Sequence, residues 1–206
     1  FQNAPDSTGF YFYNGTSWNW LSSVVADTIA WKTAGNSGLP DTSFIGHRDL
    51  KPLNFRLNNL RYGRIHPTNS AISFGRNAGN ISNTTGHIAI GDSAATAITT
   101  LSPGVFIGYK AGKSVTSGVD NVFVGNLSGT NNTLGQRNSF YGSQAGTNNI
   151  SGIQNVFLGY LSGSSNRQAS LNTAVGAFSL SEHEGTGGSG NTAIGFAALD
   201  NDSIGI

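Results

Sequence analysis

Cysteine and methionine are both missing from the 206 residues. Without cysteine there is no disulfide framework, no thiol nucleophile and no thiolate metal site, and redox chemistry does not fix the compartment. Without methionine, and with Phe at position 1, the chain reads as a processed or partial product in which a targeting segment would not be seen. Charge is scarce as well: 10% of residues are charged and the formal net charge is +1. That balance leaves no electrostatic footprint for nucleic acid or for an anionic membrane surface. No apolar run reaches about 18 residues, so no membrane-spanning helix is legible.

Glycine is abundant instead, 29 of 206, with Asn, Ser and Thr plentiful. Such a chain is rich in turns and poor in helix formers. From residue 69 onward it repeats. The segments NSAISFGRNAG, HIAIGDSAA, GVFIGYKAG, NVFVGNLSG, NSFYGSQAG, NVFLGYLSG, NTAVGAFSL and NTAIGFAAL align on Gly75, Gly91, Gly108, Gly125, Gly142, Gly159, Gly176 and Gly195. The spacings are 16, then 17 five times, then 19. Periods of this regularity indicate a solenoid with one coil per repeat, and the glycines are its coil turns.

Each repeat carries a short alternating run that ends at the glycine, which is a strand pattern. One face of it holds the columns three and one residue before the glycine: Ile72, Ile88, Val105, Val122, Ser139, Val156, Thr173 and Thr192, with Phe74, Ile90, Ile107, Val124, Tyr141, Leu158, Val175 and Ile194. These are expected to fill the coil. Three residues after the glycine only Ala or Ser occurs (Ala78, Ala94, Ala111, Ser128, Ala145, Ser162, Ser179, Ala198), as a tight corner or a crowded second wall requires. The middle column, two before the glycine, then points the other way. After Ser73 it reads Ala89, Phe106, Phe123, Phe140, Phe157, Ala174 and Ala193. An exposed stripe of stacked phenylalanines must be covered. Either a flattened coil buries it against its own long loop, or identical chains meet along it around a shared axis; the second, a homotrimer seam, is the expectation.

Asn121, Asn138, Asn155, Asn172 and Asn191 recur four before the glycine, where Asn can stack into an amide ladder or take a left-handed backbone. Tyr109, Tyr160 and Phe196 follow the glycine directly and are candidate surface contacts for a ligand such as a glycan; packing against a neighbouring coil or chain explains them equally well. Catalysis finds no foothold. Glu182, His183 and Glu184 share one polar insertion, GTGGSG lacks the strand and lysine of a phosphate cradle, and no nucleophile is partnered with a histidine by motif. No catalytic, cofactor or metal residue is assigned, and no cofactor is expected. An ice-binding solenoid would need a flat Thr ladder, which the aligned strand runs do not show.

The NTAVG (172–176) and NTAIG (191–195) repeats resemble the YadA-like head of trimeric autotransporter adhesins, although the period here is longer and Phe replaces Ala in the central coils. The FIGY.AG variant looks closer to repeat-bearing, tail-fibre-like proteins of Bacteroidetes and their phages. Two upstream passages, STGFYFYNGTSWNWL (7–21) and GNSGLPDTSFIGHRDLKPLNFRLNNLRYGRI (35–65), resemble an aromatic strand pair and a connector of that group. The resemblance implies a parallel β-roll in a homotrimer, forming an extracellular cell-surface appendage or phage tail fibre. Within the connector, GHRDLKPLNF (46–55) also resembles the catalytic loop of a protein kinase, with Asp49 and Asn54 in the working positions. A kinase needs a nucleotide-binding lobe ahead of that loop, and only 46 residues precede His47, so the kinase reading is set aside.

The sequence therefore predicts an all-β protein: a small aromatic-rich β element at 1–32, a β connector at 33–66, and a parallel β-solenoid (β-roll) of about eight 16–19-residue coils at 67–206, continuing past residue 206. Its expected role is a non-enzymatic structural and adhesive segment of a trimeric extracellular or virion fibre. The partners are other copies of the chain and, at the surface, a cell-surface glycan or protein receptor. The alternative is a glycan- or receptor-binding module that acts through the coil surface.

Overall fold

The computed structural model describes residues 11–13, 16, 18–20, 50–79, 86–99, 103–182 and 188–200, in two compact units, 1–47 and 48–206. In the first unit, β1 (Tyr11–Tyr13) and β2 (Trp18–Trp20) pair antiparallel, with Tyr11 opposite Trp20 and Tyr13 opposite Trp18. This is the expected aromatic strand pair.

The second unit is built on one ten-stranded sheet. It opens with a hairpin, β3 (Leu53–Leu57) and β4 (Leu60–Ile65), turned by Asn58 and Asn59 at φ 45° and 60°. Asparagine tolerates that left-handed pair, which is what a two-residue hairpin turn demands. Then β4 pairs antiparallel with β5 (Ile72–Phe74), and from there the strands run parallel: β6 (His87–Ile90), β7 (Gly104–Ile107), β8 (Asn121–Val124), β9 (Ser139–Tyr141), β10 (Val156–Leu158), β11 (Thr173–Val175) and β12 (Thr192–Ile194). Equivalent repeat positions lie side by side, so Phe106, Phe123, Phe140, Phe157, Ala174 and Ala193 form one row across the sheet. No helix occurs among the described residues. The all-β parallel solenoid predicted from the glycine period is therefore present, and the hairpin covers the edge that β5 would otherwise expose. The described end of the kinase-like passage, residues 50–55, leads into that hairpin. Asn54 sits in β3 with its Nδ2 donating to the Pro52 carbonyl at 3.1 Å, and Asp49 lies outside the described residues.

Backbone pairing continues around the coil past the strand. The N–H of Leu127 donates to the Tyr109 carbonyl at 2.9 Å and that of Gln144 to the Asn126 carbonyl at 2.8 Å; across the coil, Ile150 N–H reaches Arg167 O at 2.8 Å. Every residue two past the glycine, Leu127, Gln144 and Leu161 among them, is left-handed, as are Asp120, Arg137, Gln154 and Leu171 just ahead of the ladder asparagines. The left-handed position thus falls one residue before the Asn column, whose side chains are free to ladder.

The inside and outside of the strand are reversed relative to the sequence expectation. Phe106, Phe123, Phe140, Phe157, Ala89 and Ala174 are 0% exposed and Ala193 is 2% exposed within a single chain, so this column is the core of the coil and not a seam between chains. The flanking columns face out, with Ile90 at 40%, Tyr141 at 42% and Leu158 at 46% exposed. The physical reason is the width of the coil. Its second wall is Ala or Ser three past the glycine, all but Ala198 buried, and then a residue four past it that is Gly wherever the strand supplies Phe. One phenylalanine spans that gap, and a side chain on Gly112, Gly129, Gly146 or Gly163 would collide with Phe106, Phe123, Phe140 or Phe157 respectively. Where the strand supplies Ala174, the facing position holds the buried Leu180; Leu199 holds the equivalent place opposite Ala193 and is 38% exposed. Between the phenylalanine coils and the Ala174 coil, large and small thus exchange walls, the kind of swap that packed cores tolerate best, whereas the first two coils pair small with small, Ser73 with Gly79 and Ala89 with Ala95. Phe123, Phe140 and Phe157 stack with centroids 4.7 and 4.8 Å apart and planes within 7° and 10°, the spacing of the strands that carry them.

Candidate functional site

Two amide ladders lock the interior polar groups. In the first, Asn138 N–H donates to Asn121 Oδ1 at 3.0 Å, Asn155 N–H to Asn138 Oδ1 at 2.9 Å, and Asn172 N–H to Asn155 Oδ1 at 3.0 Å. The same side chains send Nδ2 across the coil, Asn121 to Gly135 O and Asn138 to Gly152 O, both at 2.8 Å. The second ladder escaped the sequence reading because it lies seven residues past the glycine, outside the aligned runs. There Asn149 Nδ2 donates to Asn132 Oδ1 at 2.7 Å and Asn166 Nδ2 to Asn149 Oδ1 at 2.8 Å. All of these side chains are fully buried. Buried amides are stable when satisfied, and all of these atoms are paired except Asn166 Oδ1 and Asn172 Nδ2. Asn138→Leu would strip partners from the Asn155 N–H and the Gly152 carbonyl, and a loss of about 1–3 kcal/mol in chemical denaturation is expected; an unchanged midpoint would show that the ladder contributes nothing.

The coil-turn glycines have two reasons to be glycine. Gly75, Gly91, Gly108, Gly125, Gly142, Gly159 and Gly176 have φ between 128° and 141°, and a Cβ on each would sit inside 3.0 Å of the carbonyl of the next turn glycine. Gly195 shares the dihedral, at φ 128°, without that close approach among the described residues. These corners hold successive coils at contact distance.

The outward strand face is the first candidate surface. From Ile72 and Phe74 on β5 to Thr192 and Ile194 on β12 it presents only apolar side chains apart from Ser139, Thr173 and Thr192, and no charge at any position. It runs on into the hairpin, where Phe55 and Phe74 meet at 5.4 Å across Gly63. Seven strand spacings give it a length of about 34 Å from β5 to β12.

A second surface runs along the corner. Tyr160, Phe178 and Phe196 form a row with centroids 5.3 and 5.9 Å apart, each ring edge-on to the next. Tyr160 and Phe196 were expected here; Phe178, one position further along its repeat, was not. Tyr109 stands apart, exposed, with the Lys110 ammonium 4.7 Å from its ring centre. Arg76 and Asp92 pair on the same corner at 3.0 Å. The Ser93 hydroxyl, donating at 2.7 Å, and the Arg76 guanidinium hold the Asp92 carboxyl below the usual carboxylate range against the opposing effect of burial. A short threonine column, also missed in the strand runs, joins Thr99, Thr116 and Thr133; the Thr99 and Thr116 hydroxyls donate to the carbonyl of the following rung.

Among the described residues no three His, Cys, Asp or Glu side chains converge as a metal site would require. Glu182 is exposed, while His183 and Glu184 lie outside the described residues. No family model, no curated protein and no solved structure matches the chain.

Proposed function

We propose that this chain is a non-enzymatic structural and adhesive segment of a trimeric extracellular or virion fibre. The observation that carries the reading is the uncharged apolar face along β5 to β12, set on a solenoid whose interior is already filled by its own phenylalanines. Soluble monomers seldom leave a continuous apolar strip of this length in water, and a second and third copy of the same chain would cover it along the axis. The seam of the proposed trimer therefore moves from the phenylalanine column to the columns flanking it. Stacked coils with glycine corners and amide ladders give such a shaft its stiffness, and chemistry is not required of it.

Tyr141→Lys combined with Leu158→Lys tests the seam. Light scattering of the wild-type chain is expected to give about three times 21.4 kDa. The double variant is expected to give the mass of one chain while keeping its β-sheet circular dichroism, because both positions are already solvent-facing in the single chain. A wild-type chain that scatters as a monomer would end the trimer reading. The second reading, direct glycan recognition through the coil surface, is favoured by the aromatic row at Tyr160, Phe178 and Phe196, whose two ends are exposed. Binding on a glycan array that disappears in Phe196→Ala would place it first.

A further inference from the structure

Among the described residues, His87 is the one titratable side chain that the core buries; it is 1% exposed. It lies four residues before Gly91, the place that Asn121, Asn138, Asn155 and Asn172 hold before their own glycines. Its ring is pressed against Gly79, where any side chain would collide with Nε2, and its neighbour in β7 is Gly104. Arg64 from β4, His66 and Asn69 from the turn between β4 and β5, and Ser73 from β5 share with it a cavity of about 10 Å³. That is room for one water, too little to hydrate an ionised ring. No carboxylate lines the cavity. Residues 50–91 contain Lys51, Arg56, Arg61, Arg64 and Arg76 but neither Asp nor Glu, and the next acid, Asp92, is engaged by Arg76.

An imidazolium at this place would stand across the cavity from the Arg64 guanidinium with no anion to offset it. Burial holds the neutral His87 ring below the ordinary histidine range, and burial together with Arg64 does the same to His66. The closed end therefore favours neutral rings, and an opened end takes up protons first. Its stability is fully present above the ordinary histidine range and is lost as pH falls through that range towards the folded-state value. This end also has the least to hold it. Ser73 with Gly79 and Ala89 with Ala95 pair small with small, whereas the coils from β8 onward are joined by buried amide ladders. Regions with few buried contacts open first. We propose that His87 is an acid-sensitive latch: its protonation releases the hairpin and first coil, β3 to β6, while the laddered coils from β8 to β12 stay folded.

The test is hydrogen exchange of the full chain at about pH 7.5 and about pH 5, each rate referred to the unstructured-peptide rate at the same pH. The N–H groups of Gly75, Gly86 and Gly91 donate to the carbonyls of Tyr62, Asn69 and Phe74 at 2.7, 2.6 and 2.7 Å and report on the latched end. Those of Gly142 and Gly159, donating to Val124 and Tyr141 at 2.8 Å, report on the laddered coils. At the lower pH the first set is expected to exchange several-fold faster and the second to keep its protection. His87→Asn, which supplies the side chain of the later coils, should abolish the difference, while His66→Asn should keep most of it. Equal protection of the end at both pH values, a loss spread evenly along the solenoid, or a loss that persists in His87→Asn would each overturn the assignment. The wild-type comparison stands even if His87→Asn fails to fold. Arg64→Gln then serves as the second variant: removing the neighbouring charge should reduce the acid loss, and an unchanged loss would refute the electrostatic origin of the latch.

Discussion

Phe140→Ala is expected to lower the stability of the solenoid by about 3–5 kcal/mol, read as a shift in the denaturation midpoint followed by circular dichroism. The ring is wholly buried, stacked on both sides by Phe123 and Phe157, and faced by Gly146, so nothing in the same coil can move in to fill the space. Coil 172–188 indicates the repair. There Ala174 is matched by Leu180, which adopts φ 52° at the position equivalent to Gly146, φ 56°. Phe140→Ala together with Gly146→Leu is therefore expected to recover more than half of the loss. Phe140→Asp, by contrast, buries an unpaired charge and should unfold the region outright. A variant at Phe140 that dissociated copies of the chain while leaving each coil intact would restore this column as a contact between chains and refute its placement in the core.

Gly142→Ala is expected to cost about as much, roughly 3–5 kcal/mol, for a different reason. At φ 141° the backbone occupies a region that L side chains rarely adopt, and the new methyl would press on the Gly159 carbonyl of the next coil. Relief requires two coils to separate, which weakens hydrogen bonds on both sides of the contact. Gly195→Ala carries the same dihedral at φ 128°, with no carbonyl of a following coil against it among the described residues, and should cost distinctly less. Comparing the melting temperatures of the two variants separates dihedral strain from the collision; equal losses would mean that the close approach between coils is unimportant.

The solenoid was legible because its determinant is a period, and a glycine recurring every 16 to 19 residues survives any uncertainty about individual side chains. The direction of the strand faces was not read correctly, and the error has a clear origin. Two apolar columns flank one, so counting residues favours the pair as core, whereas the coil is narrow enough for a single large side chain. The signal that settles the matter is present in the sequence: Gly112, Gly129, Gly146 and Gly163 accompany Phe, while Leu180 and Leu199 accompany Ala. It lies six residues downstream, across the coil, where an alignment confined to the strand does not look. The Asn132, Asn149 and Asn166 ladder was missed for the same reason.

His87 takes the ladder position that asparagine fills in later coils, and its burial pushes the imidazole below its ordinary range, so it is neutral at pH 7. The first parallel coils therefore hold together without the amide chain that unites the later ones.

Each full coil winds about 17 residues of chain into an axial rise of one strand spacing. Drawn out straight, those residues reach about 55–60 Å, against about 4.8 Å when wound. Hydrogen bonds between neighbouring coils lie along the axis, so a pull from end to end loads every rung in series and the weakest yields first. Its release lengthens the chain more than tenfold locally and drops the force on the rest, which makes the solenoid an extensible tether as well as a stiff rod.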